Sequence, residues 1–426
     1  MPLAEIMTST TSQALPTRIL TLFGTRPEAI KVAPVIHELG HDPQFDVTVA
    51  VSGQHRDLVD SILEPFEIRI EHDLQTMVPG QSLTEIVGKI SRRTDALCDE
   101  LKPQILLVQG DTTSAFGAAL AAFHRGIPVA HVEAGLRSYD RNHPFPEESN
   151  RRMISTLSSV HMAPTPASAD NLLREGIPDN EIFVTGNTAV DALHYILERI
   201  EGAAGEHSET ESVRPVRPRI LVTLHRRECW ADPLDAPAFS DLPRIEDLLL
   251  GLREAAVKFS ELDFLYPVHP NPRVRQPARE ILSDLPNFTV IDALPYVPFV
   301  QEMARSRVIV TDSGGIQEEA PSLGVPVIVL REKTERPEGE AWGTTTVAGT
   351  DPSALIPALE TALATEAADP AGRPFPNPFG DGRAAERIRQ ALLCSLGRGP
   401  KPGDFVAPPR QTPSHTHQPS PKENPK

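Results

Sequence analysis

The residues able to do chemistry in this sequence gather in seven short segments: GTRPEAIK (24–31), QGDTT (109–113), HVEAGLR (131–137), HRRE (225–228), YPVHPNP (266–272), TDSGGIQEEAPSLG (311–324) and LREKTERPE (330–338). Each closes a run of apolar residues. Strand ends ordinarily carry Gly, Asn and Asp turn formers; Arg and His clusters beside isolated acids point to a site instead. In SGGIQEE, Ser313 can cap a helix while Gly314 and Gly315 let backbone N–H groups close on an anion. The helix N-terminus adds partial positive charge, which suits a phosphate or diphosphate. Glu318 or Glu319 then lies one turn further in, within reach of ribose hydroxyls. The alternative is a glycine turn with ordinary acidic capping. Arg26 offers phosphate a rigid donor fork. Lys31 either joins it or pairs with Glu28 three residues earlier. His225, Arg226 and Arg227 are three consecutive donors.

Asp111, Glu133 and Glu147 are the candidate acids and bases. Asp111 and Glu133 follow two strands expected to be neighbours, so their carboxylates can converge and raise one pKa. Equally, Asp111 can cap the following helix and Glu147 can be a first-turn acid. Neither GxGxxG nor GxxxxGK[ST] occurs, so the common dinucleotide and P-loop fingerprints are missing. His37 and His41 have helical spacing but no acidic partners in a recognised pattern, and there is no HExxH, so no metal is expected.

The elements that must position these residues repeat one rhythm. RILTLF, DVTVAVS, ILLVQ, IPVAHV, VHMA and EIFV alternate with helical segments in the first half; RILVTL, FLYPV, FTVID, RVIV and PVIVL do so in the second. Apolar runs without polar alternation suit strands buried on both faces, and strand–helix alternation implies parallel sheets. The fold class is therefore α/β, with two Rossmann-like domains whose ligand sites lie beyond the strand ends. The expected boundaries are a disordered 1–16, a first domain at 17–200, a linker or mobile insertion at 201–218 and a second, nucleotide-binding domain at 219–383. A helix at 384–398 and a disordered tail at 399–426 follow. From Pro400 on there are eight prolines in 27 residues and only Phe405 and Val406 as sizeable apolar side chains, too little to offset ordering entropy.

Composition narrows the function. The chain has 41 basic and 58 acidic residues, a net charge of −17, which argues against general affinity for nucleic acid or anionic lipid. No apolar run approaches the ~18 residues of a membrane helix, and the N-terminus has neither the basic nor the apolar region of a secretory signal. Three widely separated cysteines make no disulfide framework. A soluble cytoplasmic protein is expected.

The ordered set FGTRPEAIK, QGDTT, HVEAGLR, PFPEESNR, VTGN, HRRE, YPVHPNP, TDSGGIQEEAPSLG, TERPEG and NPFGDGRA closely resembles the non-hydrolysing bacterial UDP-N-acetylglucosamine 2-epimerases, over roughly residues 18 to 394. The resemblance implies the GT-B architecture, in which the two domains face a cleft holding a UDP-sugar, and a last helix crossing back onto the first domain. It implies a cytoplasmic homodimer, no cofactor, and interconversion of UDP-GlcNAc and UDP-ManNAc for cell-surface polysaccharide. Carried over residue by residue, Asp111, Glu133, Glu147 and His225 are catalytic. Arg26, Lys31, Phe299, Ser313, Gly314, Gly315, Glu319 and Arg336 bind substrate. Gln54, Glu147, Arg226 and His269 match contacts to a second UDP-GlcNAc that acts as activator. Departures stand at Leu294 and Pro295, where uracil-reading polar residues are common, at Asp57 and Gly80 beside the activator, and in the proline-rich stretch after HRRE.

The chemistry is consistent with this set. A sugar proton at carbon 2 is not acidic, but breaking the bond from carbon 1 to the UDP oxygen develops positive charge that acidifies it. Elimination to 2-acetamidoglucal and UDP, then re-addition with protonation on the other face, inverts carbon 2. Fixed cationic donors serve the leaving diphosphate, and carboxylates serve the proton. The rivals are a hydrolysing epimerase releasing ManNAc and UDP, a GT-B glycosyltransferase, a silent sugar-nucleotide sensor, and an enzyme acting on a related UDP-diacetamido-uronic acid.

Overall fold

The computed structural model describes residues 15–53, 56–78, 80–206, 217–224, 244–364 and 376–407. The expected disorder at 1–14 and 408–426, the residues Gln54, His225 and Arg226, and most of the expected linker lie outside these residues.

Two parallel sheets form. The first joins β1 (Thr17–Phe23), β2 (Phe45–Val51), β3 (His72–Asp73), β4 (Ile105–Gln109), β5 (Val129–Val132), β6 (Val160–Ala163) and β7 (Ile182–Val184) in the order β3-β2-β1-β4-β5-β6-β7. Its helices are α1 (Arg26–Gly40), α2 (Arg56–Leu63), α3 (Leu83–Leu101), α4 (Thr113–His124), α5 (Glu147–Leu157), α6 (Pro166–Arg174) and α7 (Thr188–Glu206). The second joins β8 (Arg219–Thr223), β9 (Asp263–Val268), β10 (Phe288–Asp292), β11 (Val308–Thr311), β12 (Val327–Val329) and β13 (Thr345–Val347) in the order β10-β9-β8-β11-β12-β13. With it come α8 (Ile245–Lys258), α9 (Pro272–Leu282), α10 (Tyr296–Arg305), α11 (Gly314–Glu319), α12 (Pro337–Trp342) and α13 (Pro352–Ala364). The expected pair of Rossmann-like α/β sheets is present. Central strands such as β4 and β11 are buried at every residue, which is why they read as unbroken apolar runs.

The β1–α1 turn shows how a strand end is set. Thr25 caps α1 and Glu28 closes a capping box. At Gly24 a Cβ would stand 2.2 Å from the Ser114 hydroxyl and 2.3 Å from that of Ser52, so only glycine fits between β1, β2 and α4.

The halves share a core. One buried cluster joins Phe23, Val32 and Leu193 of the first half to Val300, Ile309 and Ile316 of the second. Into the same cluster α14 (Ala384–Ser395) inserts Ile388 and Leu392. Its first turn is held by Asp191, whose carboxylate accepts from the Ala385 N–H at 2.8 Å, and Arg389 pairs with Glu38 and Asp42 at 2.8 and 3.0 Å. Helix α7 runs to Glu206, so the stretch expected to be a linker from 201 begins as helix.

The tail departs from expectation at its start. Phe405 is 1 % exposed, and its N–H donates to the Val184 carbonyl of the edge strand β7 at 2.7 Å. Arg387 lies 5.7 Å over its ring. Composition argues over an average, whereas one aromatic beside an open sheet edge is enough to dock the segment. Phe405→Ala is expected to cost about 3–5 kcal/mol of unfolding free energy, as for other large core truncations. Urea denaturation measures it; a loss under about 1 kcal/mol would show that the segment contributes nothing.

Candidate active site

Glu133 leaves β5 with φ +67°, a left-handed conformation that a side chain adopts only when its surroundings impose it. Its carboxylate accepts from Lys31 and from the Asn187 amide at 3.0 Å, and Arg336 stands 3.8 Å away. Burial opposes its ionisation, yet Lys31 and Arg336 hold its pKa below the usual carboxylate range. The expected raising of one acid by a converging carboxylate therefore fails at Glu133: two cations outweigh desolvation. Lys31 does not pair with Glu28. It bridges Glu133 to Glu318 of α11, 2.7 Å away, and these acids raise its own pKa against desolvation.

Residues that follow strands of the second sheet join the same cluster. Arg336 bonds Glu318 and Glu335, and its guanidinium fills the space beside Gly314, where a Cβ would stand 2.6 Å from the guanidinium carbon. Ser313 is the N-cap residue of α11, but its side chain makes no capping bond, contrary to expectation. Its carbonyl accepts from the Gln317 amide at 3.2 Å, and its N–H donates to Thr311 at 2.9 Å. Gly315 follows in the first turn of α11. Burial pushes Glu319 up to about 8, against the relief given by the Tyr296 hydroxyl that donates to it at 3.1 Å. Arg26 reaches across from α1 to the Leu294 carbonyl at 3.0 Å; burial lowers its pKa although Glu319 and Tyr296 oppose this. Phe299 packs half-buried on the shared core. His269 follows β9, its Nδ1 accepting from the Asn271 N–H at 3.2 Å.

Asp111 follows β4 and does not cap α4; Thr112 does, accepting from the Ala115 N–H at 3.0 Å. The Asp111 carboxylate takes two bonds from Arg151, the Nε one at 2.9 Å, and its carbonyl accepts from Asn150 at 3.0 Å. Glu147 opens α5 and lies on the face of Asn150 and Arg151, three and four residues on. Its neighbour Glu148 is buried and structural, accepting from the Ser138 and Tyr139 N–H groups at 3.0 and 3.2 Å. Carboxylates here can accept a proton, and the fixed cations beside them can hold a dianionic group in one place.

The description UDP-N-acetylglucosamine 2-epimerase fits residues 37–393 of the chain. The chain belongs to this epimerase family. An Escherichia coli K12 UDP-N-acetylglucosamine 2-epimerase is 43 % identical over 379 residues, which cover 88 % of this chain and 98 % of that one. The crystal structure of the Neisseria meningitidis UDP-GlcNAc 2-epimerase bound to UDP-GlcNAc is similar with a TM-score of 0.80 at 41 % identity, covering 89 % and 100 %. That of Methanocaldococcus jannaschii in complex with UDP-GlcNAc and UDP gives 0.76 at 33 %, over the same shares.

Within this family member, sequence reasoning missed Arg151, Asn187 and Glu335, and named Glu318 only as a substitute for Glu319. The signals were present: Asn187 ends VTGN after β7, and Arg151 lies in PFPEESNR. Among the described residues no His, Cys, Asp or Glu side chains group as a metal would require, and no helix is long and apolar enough to cross a membrane.

The raised pKa of Glu319 predicts a pH effect with a definite sign. The folded state keeps this proton up to about 8, whereas the unfolded chain loses it near ~4.3. Its stabilisation is full below the unfolded value and is lost as pH rises through the folded one. Unfolding free energy is expected to fall between about pH 5 and 8, by up to ~1.4 kcal/mol per pH unit for one group, and Glu319→Gln to flatten that slope. Denaturation across this range checks it; equal slopes in both proteins would refute the assignment.

Proposed function

We propose that the chain epimerises carbon 2 of UDP-N-acetylglucosamine, giving UDP-N-acetylmannosamine without net hydrolysis, with the two domains in the GT-B arrangement and the nucleotide sugar between them. One observation carries the reading: Glu133, buried and held ionised by Lys31 and Arg336, stands where the two domains meet.

In this reading Arg26, Arg336 and the Ser313–Gly315 turn receive the diphosphate, and Glu319 the ribose. Cleavage of the bond between carbon 1 and the UDP oxygen sends its electron pair to UDP. A carboxylate among Asp111, Glu133 and Glu147 takes the carbon 2 proton, leaving 2-acetamidoglucal. A second acid of the three, carrying a proton exchanged with water, protonates the opposite face of carbon 2, and return of the UDP oxygen to carbon 1 completes the epimer. His225 serves the leaving group from outside the described residues. The product supplies ManNAc units to cell-surface polysaccharide, and the enzyme works as a cytoplasmic homodimer. A second UDP-GlcNAc acts as activator through Gln54, Arg226 and His269, with Asp57 and Gly80 weakening its grip.

Incubation with UDP-GlcNAc followed by proton NMR tests the reading. UDP-ManNAc should accumulate to a fixed ratio with its substrate. Free ManNAc and UDP in its place would identify a hydrolysing epimerase, and no conversion at any concentration of UDP-GlcNAc would sink the proposal.

A further inference from the structure

Glu28 is 2 % exposed, and no cation pairs with it among the described residues. All the carboxylate's hydrogen-bond partners donate. Oε2 accepts from the N–H groups of Gly24 at 3.0 Å and Thr25 at 2.7 Å, while Oε1 accepts from the Thr112 hydroxyl at 2.7 Å. Thr112 accepts from the Ala115 N–H and gives its own proton to the Glu28 carboxylate. Thr25 immediately precedes Arg26, and Thr112 immediately follows Asp111. One side chain thus stands a single residue away from both.

An ordinary helix cap explains only half of this. A capping box needs one oxygen turned to the N-cap backbone, and an exposed glutamate serves that role at less cost. Here burial holds the carboxyl up at about 7 even against the pull of these donors. The second oxygen reaches a turn 84 residues away in sequence. Gly24 is wedged against Ser52 after β2, which limits how far the β1–α1 turn can slide to keep the bond if the β4–α4 turn moves.

We propose that Glu28 is a positioning residue: it ties the turn carrying Arg26 to the turn carrying Asp111 and fixes the distance between the group that receives the leaving diphosphate and a carboxylate that handles the carbon 2 proton. This rests on the epimerase reading for its functional half. Glutamine at 28 keeps the size but turns an NH2 group toward N–H or O–H donors. A misplacement on the order of 1 Å can cost ~10²-fold in rate.

Glu28→Gln, Thr112→Val and the double variant are compared in kcat, KM and UDP affinity, alongside hydrogen exchange over residues 18–30 and 106–118. Each single variant should lose roughly ten- to a hundred-fold in kcat with UDP affinity within about three-fold, and exchange should rise in both peptides whichever variant is made. The double variant should be no slower than Glu28→Gln, because both remove one tie, and Thr112→Ser should restore most of the rate. Unchanged kcat in folded Thr112→Val, multiplying losses in the double variant, or exchange rising only in the mutated turn would overturn the proposal. If Glu28→Gln fails to fold, Thr112→Val and its serine counterpart decide. A wild-type protein that converts no UDP-GlcNAc would remove the functional reading, while the tie itself would stand or fall on the exchange.

Discussion

In deuterium oxide, UDP-ManNAc formed from UDP-GlcNAc is expected to carry deuterium at carbon 2, and Glu133→Gln to lower kcat by ~10²-fold or more. The proton must leave carbon 2 for the centre to invert, and the chain has no dinucleotide fingerprint that would supply a hydride route. Glu133 meets the requirements for a base. It is ionised through Lys31 and Arg336, shielded from water, and fixed in direction by Asn187. Glutamine preserves the hydrogen-bond acceptor for Lys31 but cannot take a proton. Lys31 also keeps Glu318, so UDP binding should change by no more than about three-fold; a fall confined to kcat is the signature of a group acting in the transition state. Asp111→Asn should behave alike, with its partner Arg151 left beside a neutral amide. Mass spectrometry and NMR of the product read the label. Full retention of the original hydrogen at carbon 2 would exclude elimination whatever the variants did.

How much of this was legible in the sequence follows from the range of the forces involved. Strands buried on both faces must be apolar throughout, so the two sheets could be read from runs such as ILLVQ and RVIVT. Turn chemistry is equally local, and it marked Arg26, Asp111, Glu133 and the Ser313–Gly315 turn. Pairing is not local. Lys31 has Glu28 three residues away and instead bonds Glu133 and Glu318, because Glu28 is spent on the backbone of its own turn and on Thr112. Ser313 has a good capping side chain and leaves it unused. Phe405 sits in a proline-rich, polar segment, and only the open edge of β7 makes it a core residue.

Arg336→Met is expected to destabilise the protein by about 3–5 kcal/mol, the usual cost of removing one partner from a buried ionic cluster. Asp111, Glu133, Glu318 and Glu335 are joined to Lys31, Arg151, Arg331 and Arg336, and Arg151 links the set on through Glu148 to Arg152, Glu175 and Arg137. Among the described residues six negative and six positive groups balance; without Arg336, six carboxylates face five cations. Glu335 retains Arg331 at 2.9 Å, and Glu318 retains Lys31 at 2.7 Å. Glu318 suffers most, being wholly buried with its pKa already raised by desolvation even though Arg336 and Lys31 oppose the shift. Losing Arg336 raises that pKa further, so the folded variant carries a proton that the unfolded chain releases near ~4.3. Stability of the variant should therefore fall more steeply than wild type as pH rises above the unfolded value. Urea denaturation at pH 5.5 and 8 separates the cases. A loss below about 1 kcal/mol with no added pH dependence would show that the cluster does not hold the two domains together. Adding Glu318→Gln to Arg336→Met should recover part of the loss at pH 8 and less at pH 5.5, because it removes the charge that Arg336 had balanced. Lys31 and Arg336, which the proposed reading also sets against the substrate, would then serve both domain pairing and ligand binding.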